Sequence, residues 1–258
     1  MKNTMKNTMK FIFAALLTLS SAAYAANTAC DHLVAYGYPT VNLTNTTDLC
    51  RLAYFVKHNN DKKVPAYSAE YLTIEAVNNK GVERLNLFKA DPDLPVGSKA
   101  ELSDYNKDYD RGHMTPFEDA DANTASAMQS FYLSNMVPQD LHLNRGLWKA
   151  LENRTREYAK NSKNGIYVIT GPVFIGTIKT IGTNKVNVPT KVFKIIIDKE
   201  TNQGIGFLVP NESPAKGVKF TAFAVPISTI EKLVNFNFTP SLPQNKQLWK
   251  NTIGTQFK

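Results

Sequence analysis

Apolar positions along this chain fall into short β-branched and aromatic runs separated by polar breaks, with only one long stretch of helical spacing. On that pattern Cys50–Lys57 and Tyr67–Val77 read as strands, with Asn59-Asn60-Asp61 as the polar break between them. Ile166–Thr170 and Val192–Ile197 are further apolar runs. Ile205–Val209 and Thr221–Val225 are similar but more broken, and Gly171-Pro172 and Pro189 punctuate the series. Thr124–Gln129 and Gln139–Asn161 read as helices. Strands outnumber helices and the two kinds mix irregularly, which predicts a mixed α+β domain. Leu94–Asp108 is polar and carries Pro95, Gly97 and Ser98, so it reads as a surface loop of the kind that often holds substrate contacts.

The start of the chain has a different grammar. Lys2, Lys6 and Lys10 precede an apolar run from Phe11 to Leu19, and Ala23-Tyr24-Ala25 forms a small-x-small cleavage site. This predicts a signal peptide over residues 1–25 and export to the periplasm or the cell exterior. The apolar run is well short of the roughly 20 residues a spanning helix needs, and no later stretch approaches that length, so no membrane role is expected. Residues 26–258 suit one domain with apolar content enough for a full core.

Two cysteines, Cys30 and Cys50, read as a single disulfide formed in an oxidising compartment. Closing that loop stabilises the fold by about 3 kcal/mol in the chain-entropy model. The formal charge is +8, of which the three leader lysines supply part. A basic surplus suits a polyanionic partner, and equally serves solubility.

Of the four histidines, His32, His58, His113 and His142, His113 stands in chemically suggestive company, in Asp110-Arg111-Gly112-His113-Met114, while His142 lies close in sequence to the downstream residues and could be mistaken for the base. On a strand Arg111 and His113 point to one face, and Gly112 between them permits close backbone approach. A neutral imidazole there can take a proton from water, as a general base in hydrolysis does, with activity falling as it protonates below about 6.5. Downstream, Asn144, Trp148, Glu152 and Arg156 follow at i, i+4 spacing, each about 40° further round a helix, and form one stripe. Trp148 in that stripe reads as core.

Asp110-Arg111-Gly112-His113, Ser134-Asn135-Met136-Val137-Pro138-Gln139, Leu143-Asn144-Arg145-Gly146-Leu147-Trp148 and Glu152 together resemble the DNA/RNA non-specific endonuclease family of ββα-metal nucleases. The resemblance runs from about Leu52 to Val225. It implies a central antiparallel sheet with helices packed on it, and a ββα-metal finger that delivers His113 from the strand side and Asn144 from the helix. By the same resemblance His113 is the base, Asn144 a direct ligand of Mg²⁺ (with Mn²⁺ able to substitute), and Glu152 reaches the ion through water. A hard cation that keeps several waters and takes few protein oxygens suits such a set. Arg84, in the family's Arg-x-x-x-Phe-x-x-Asp pattern with Phe88 and Asp91, joins Arg111 in offsetting phosphate charge. Asn135 matches an active-site asparagine and is expected to support the water or the metal shell. Asp110 is expected to be structural, holding backbone or arginine groups, and Arg156 either to contact phosphate or to pair with Glu152.

The implied reaction is metal-dependent hydrolysis of DNA and RNA with little sequence preference, leaving 5′-phosphate and 3′-hydroxyl ends. The expected partners are both nucleic acids, through their phosphate backbone, and a cytosolic inhibitor is a further possible partner. Two other readings compete: an exported nucleic-acid-binding protein without cleavage, and a phosphodiesterase acting on small molecules. Oligomeric state is left open by the sequence.

Overall fold

The computed structural model describes residues 28–79 and 81–242, so the leader expected over residues 1–25 lies outside them. The sheet strands and helices run in the order β1 Thr46–Cys50, β2 Tyr54–Asn59, β3 Val64–Leu72, α1 Ile74–Asn78, β4 Asp110–His113, α2 Phe117–Ala120, α3 Thr124–Ser130 and β5 Met136–Gln139. A π-helical turn at Leu143–Trp148 leads into α4 Lys149–Ala159, followed by β6 Ile166–Val173, β7 Lys191–Asp198, β8 Gly204–Pro210, β9 Ala224–Val225 and α5 Ile227–Val234. Seven of the strands form one antiparallel sheet in the order β9-β8-β7-β6-β3-β2-β1, while β4 and β5 form a separate hairpin. This is the expected α+β architecture with a central antiparallel sheet.

Side chains alternate across the sheet with the two-residue period of a strand. Ile166, Val168, Val192 and Ile196 join Trp148, Leu151 and Met114 on one face. Tyr167, Ile169, Phe193, Ile195 and Ile197 join Ile227 and Ile230 of α5 on the other. Because both faces are covered, the central strands are apolar at most positions on both sides, which is why they stood out in the sequence. The β4–β5 hairpin and α4 pack on the first face. There the sheet forms the floor beneath them.

Cys30 and Cys50 are joined as a disulfide with Cα atoms 5.8 Å apart, tying the start of the described chain to the edge strand β1.

Several element boundaries differ from the sequence reading, each for a local reason. Cys50–Lys57 is not one strand: a turn at Arg51–Ala53 divides β1 from β2, closed by the Arg51 N–H donating to the Tyr54 carbonyl at 2.9 Å. That turn is held from outside, with the Leu52 N–H and the Tyr54 hydroxyl donating to Gln129 at 2.8 and 2.6 Å. Tyr67–Val77 stops being strand at Leu72. The Thr73 side chain accepts from the Ala76 N–H at 3.2 Å and starts helix α1. Gln139 ends β5 rather than opening a helix, and within Thr221–Val225 only Ala224–Val225 is strand, after a 3₁₀ turn over Phe220–Phe223.

Candidate active site

The β4–β5 hairpin pairs Asp110 with Gln139, Arg111 with Pro138, Gly112 with Val137 and His113 with Met136. Strand alternation then turns Arg111 and His113 the same way, and both line a cleft of about 430 Å³. Gly112 faces the opposite side, where an added Cβ would lie 2.0 Å from the Gln139 Oε1 atom, so glycine is what allows this hairpin to close. His113 is 9 % exposed, its ring 5.6 Å from that of Phe88 and 5.4 Å from that of Phe131. Its Nε2 atom is buried without a hydrogen-bond partner. Burial, assisted by the charges of Arg84 and Arg111, lowers the imidazole to about 3. The expected fall in activity near 6.5 therefore does not belong to His113 in the open cleft. The ring there is neutral well into the acid range.

The facing wall is helical. Asp140 opens it, its carboxylate accepting from the N–H groups of His142 and Leu143 at 2.9 Å each. Leu143–Trp148 then forms a π-helical turn, which replaces i, i+4 spacing by i, i+5. The expected stripe is broken as a result. Asn144, Lys149, Glu152 and Arg156 line the cleft, while Trp148 is fully buried in the core, as expected of it.

Asn144 donates through Nδ2 to the Asp110 carboxylate at 2.9 Å, and Arg145 makes a two-pronged contact with the same carboxylate at 2.8 and 2.7 Å. Burial would raise the Asp110 carboxyl, but the bonds from Arg145 and Asn144 and the arginine charges together hold it below its ordinary value. A firmly ionised Asp110 fixes which end of the Asn144 amide is the donor. The carbonyl oxygen is thereby left as the end of Asn144 available to a cation. Asp110 does hold an arginine, Arg145, and it aims Asn144 as well.

Glu152 lies one α-helical turn beyond Lys149 on the same wall. Burial raises its carboxyl to about 7, against the opposing pull of Lys194 and Arg156. Arg156 does not pair with Glu152. It reaches Asp119 at 3.1 Å and Asn153 at 2.5 Å instead, which leaves the Glu152 carboxylate outside any ion pair among the described residues. Beneath it, buried Lys194 donates to the Thr170 hydroxyl at 2.7 Å, and the buried Glu70 carboxyl is pushed well above its ordinary range by desolvation.

Arg84 reaches the cleft from the irregular segment before β4. Its guanidinium lies 5.1 Å from the Phe117 ring centroid and 5.3 Å from that of Phe131, with Asn86 at 2.9 Å and Glu118 at 3.5 Å. Arg111 stacks 4.4 Å over Phe88 and has no ion pair among the described residues. Stacking on an aromatic face holds a guanidinium in place without neutralising it. Asp91, from the same segment, is fully buried and accepts from Arg51 at 2.6 Å and Ser134 at 2.5 Å, pinning the segment to the turn that precedes β5.

Asn135 is placed differently from the expectation. It is fully buried and does not line the cleft. Its Oδ1 accepts from the Thr115 N–H at 3.0 Å, while Nδ2 donates to the carbonyls of Thr115 at 2.9 Å and Ser130 at 3.0 Å. The amide thus ties the backbone at Thr115, just past His113, to Ser130 at the end of α3, a clamping position rather than one on the cleft surface. Asn135→Ala would strand three buried backbone groups and is expected to cost about 3 kcal/mol of stability, read as a lowered Tm. An active-site asparagine would give the opposite result, with activity lost and Tm unchanged.

The sequence reading missed Lys149 and Arg145 as cleft residues, and missed the aromatic seats under the arginines. Lys149 follows from i, i+5 counting, which no local pattern announces.

Comparison with known proteins follows the same lines. A family model described as DNA/RNA non-specific endonuclease matches residues 32–245. Nuclease C1 of Cunninghamella echinulata var. echinulata is 34 % identical over 209 residues, covering 74 % of this chain and 82 % of the relative. The mitochondrial nuclease EXOG of Homo sapiens is 28 % identical over 233 residues, covering 84 % of this chain and 62 % of its own length. A crystal structure of the EndoG/EndoGI complex, described as explaining EndoG inhibition, matches with a TM-score of 0.78 at 26 % identity, covering 86 % of this chain and 96 % of that one.

Proposed function

The chain belongs to the DNA/RNA non-specific endonuclease family, and from that premise we propose that it is an exported, divalent-metal-dependent endonuclease. It hydrolyses phosphodiester bonds of DNA and RNA with little sequence preference and leaves 5′-phosphate and 3′-hydroxyl ends. The observation that carries the reading is that one cleft is lined by the neutral His113 imidazole, the oriented Asn144 amide and the Arg84 and Arg111 guanidiniums.

The donor set fits a hard divalent cation. One neutral amide oxygen, with a carboxylate on the same wall, leaves most of the ion's charge for the substrate. Asn144 would hold Mg²⁺ or Mn²⁺ directly, with Glu152 reaching it through water. Bound there, the cation supplies positive charge for the departing 3′ oxygen. His113, a neutral imidazole lining the cleft, accepts the proton of the attacking water. Arg84 and Arg111 stabilise charge that builds on the non-bridging oxygens, and their aromatic seats keep them aimed before substrate arrives. Contacts to phosphate carry affinity without base information, in keeping with weak sequence preference.

Incubation with supercoiled plasmid and with RNA, in EDTA and after metal add-back, tests the proposal. Nicking restored only by the divalent ion is expected, and it should weaken steeply as salt rises. Binding without cleavage would favour the rival binding module, whereas cleavage of a chromogenic diester with plasmid left intact would favour a small-molecule phosphodiesterase.

The acid limb of kcat/KM should follow Glu152. A carboxyl raised to about 7 keeps its proton below that pH, so the ionised form is lost as pH falls. Added divalent ion competes with that proton and should move the limb down. A limb that ignores metal concentration would remove Glu152 from this role.

Export rests on the leader pattern and on the Cys30–Cys50 disulfide, which suits an oxidising compartment. The human relative is named mitochondrial. An intact mass starting at Ala26, from the periplasm or medium of the producing cell, is the expected result. Inhibition by a protein partner, as the EndoG/EndoGI description states for that pair, is a further proposal for this chain.

A further inference from the structure

Charge pairing in the cleft separates its cations into two kinds. Arg145 is neutralised by Asp110, Arg156 by Asp119, and Arg84 lies against Glu118. Arg111 and Lys149 have no ion pair among the described residues. Arg111 stands two residues from His113 and belongs with the scissile phosphate. Lys149 is exposed on the opposite, helical wall, turned into the cleft by the π-helical turn that buries Trp148. Glu152, three residues on, is the nearest carboxylate along that wall, yet it makes no ion pair with it.

Resting on the nuclease reading, we propose that Lys149 is a substrate-binding residue that takes a backbone phosphate next to the one being cleaved. A flexible ammonium with three donors suits a phosphate whose position varies with sequence and strand type, whereas a forked guanidinium suits one fixed point. Lys149 is exposed at the cleft while Asn144 and Glu152 beside it are more buried, so it takes the flanking phosphate and leaves the scissile one to them. Lys149 thus contributes to holding polymer and not to the chemical step.

The test is the binding of a fluorescein-labelled DNA duplex in EDTA, followed by anisotropy across a salt series. Lys149→Gln should raise Kd about fivefold at moderate salt and lower the slope of log K against log salt by about 0.9, the share of one phosphate contact. Lys149→Arg should restore most of both. Lys163→Gln, an exposed charge outside the cleft, should leave the slope unchanged and so controls for long-range attraction. With metal present, Lys149→Gln should raise KM on plasmid while kcat, and cleavage of a chromogenic diester with a single phosphate, stay the same. An unchanged salt slope, or a loss matched by Lys163→Gln, overturns the assignment. A fall in diester cleavage overturns the flanking position. If the unaltered protein nicks plasmid while Lys149→Gln binds normally, only this inference fails. If the unaltered protein neither binds nor nicks, the nuclease reading fails with it.

Discussion

His113→Ala is expected to lower plasmid nicking roughly 10³-fold, within the range for loss of a general base, while duplex binding in EDTA stays close to the starting value. The reason lies in how the ring is kept. Phe88 and Phe131 enclose it and the two phosphate-facing arginines add to the burial effect, so it is neutral in the open cleft. A phosphate bound between those arginines offsets their charge, which raises the imidazole toward the working range as it is needed. The pKa governing kcat should accordingly lie above the one that His113 contributes to kcat/KM. Nicking within tenfold of the starting rate, in a variant with an unchanged fold by circular dichroism, would remove His113 from the chemistry.

Asn144→Ala should have an effect of similar size, a loss of roughly 10²–10³-fold that excess divalent ion recovers only in part. Asp110→Ala tests the orienting carboxylate separately. It leaves the amide in place but free to turn and unties Arg145, and a loss of roughly 10–100-fold is expected, the range for groups that orient a ligand. Because Asp110 bonds the Asn144 amide and would act through it on the proposed metal site, the double variant should be little worse than Asn144→Ala alone. Fully additive losses would show that Asp110 has an independent task. Titration of the divalent-ion requirement in all three variants supplies the measurement.

The parts of the site legible in the sequence were those that obey a local period. Arg111 and His113 share a face because strands alternate, Gly112 is glycine because a second strand passes close, and Trp148 is core because it is large and apolar. The family resemblance brought Arg84, Asn144 and Glu152 to the same cleft, where the structure has them. The fold class was legible too, since six strand-like runs mixed with few helices point to an α+β domain, and the resemblance supplied the central antiparallel sheet.

What failed did so where a distant group decides a local conformation. The turn after Cys50 is fastened by Gln129, far along the chain, so nothing in Arg51-Leu52-Ala53 announces it. Asn135 looks like active-site chemistry beside its neighbours, yet its amide is consumed by the backbone of Thr115 and Ser130. Arg156 prefers the buried Asp119 over Glu152 in its own helix.

By itself, then, the sequence determined the strand-rich α+β class and the Arg111–His113 face through side-chain type and short-range periodicity, and the central antiparallel sheet and the class of chemistry through its resemblance to a known family. Only the tertiary structure decided that a π-helical turn presents Lys149 in place of Trp148, that Asp110 sets the direction of the Asn144 amide, and that His113 is neutral while Glu152 holds its proton to about 7. Helical phase, amide orientation and proton affinity depend on burial and on charges brought together from remote segments, and those quantities exist only once the chain has folded.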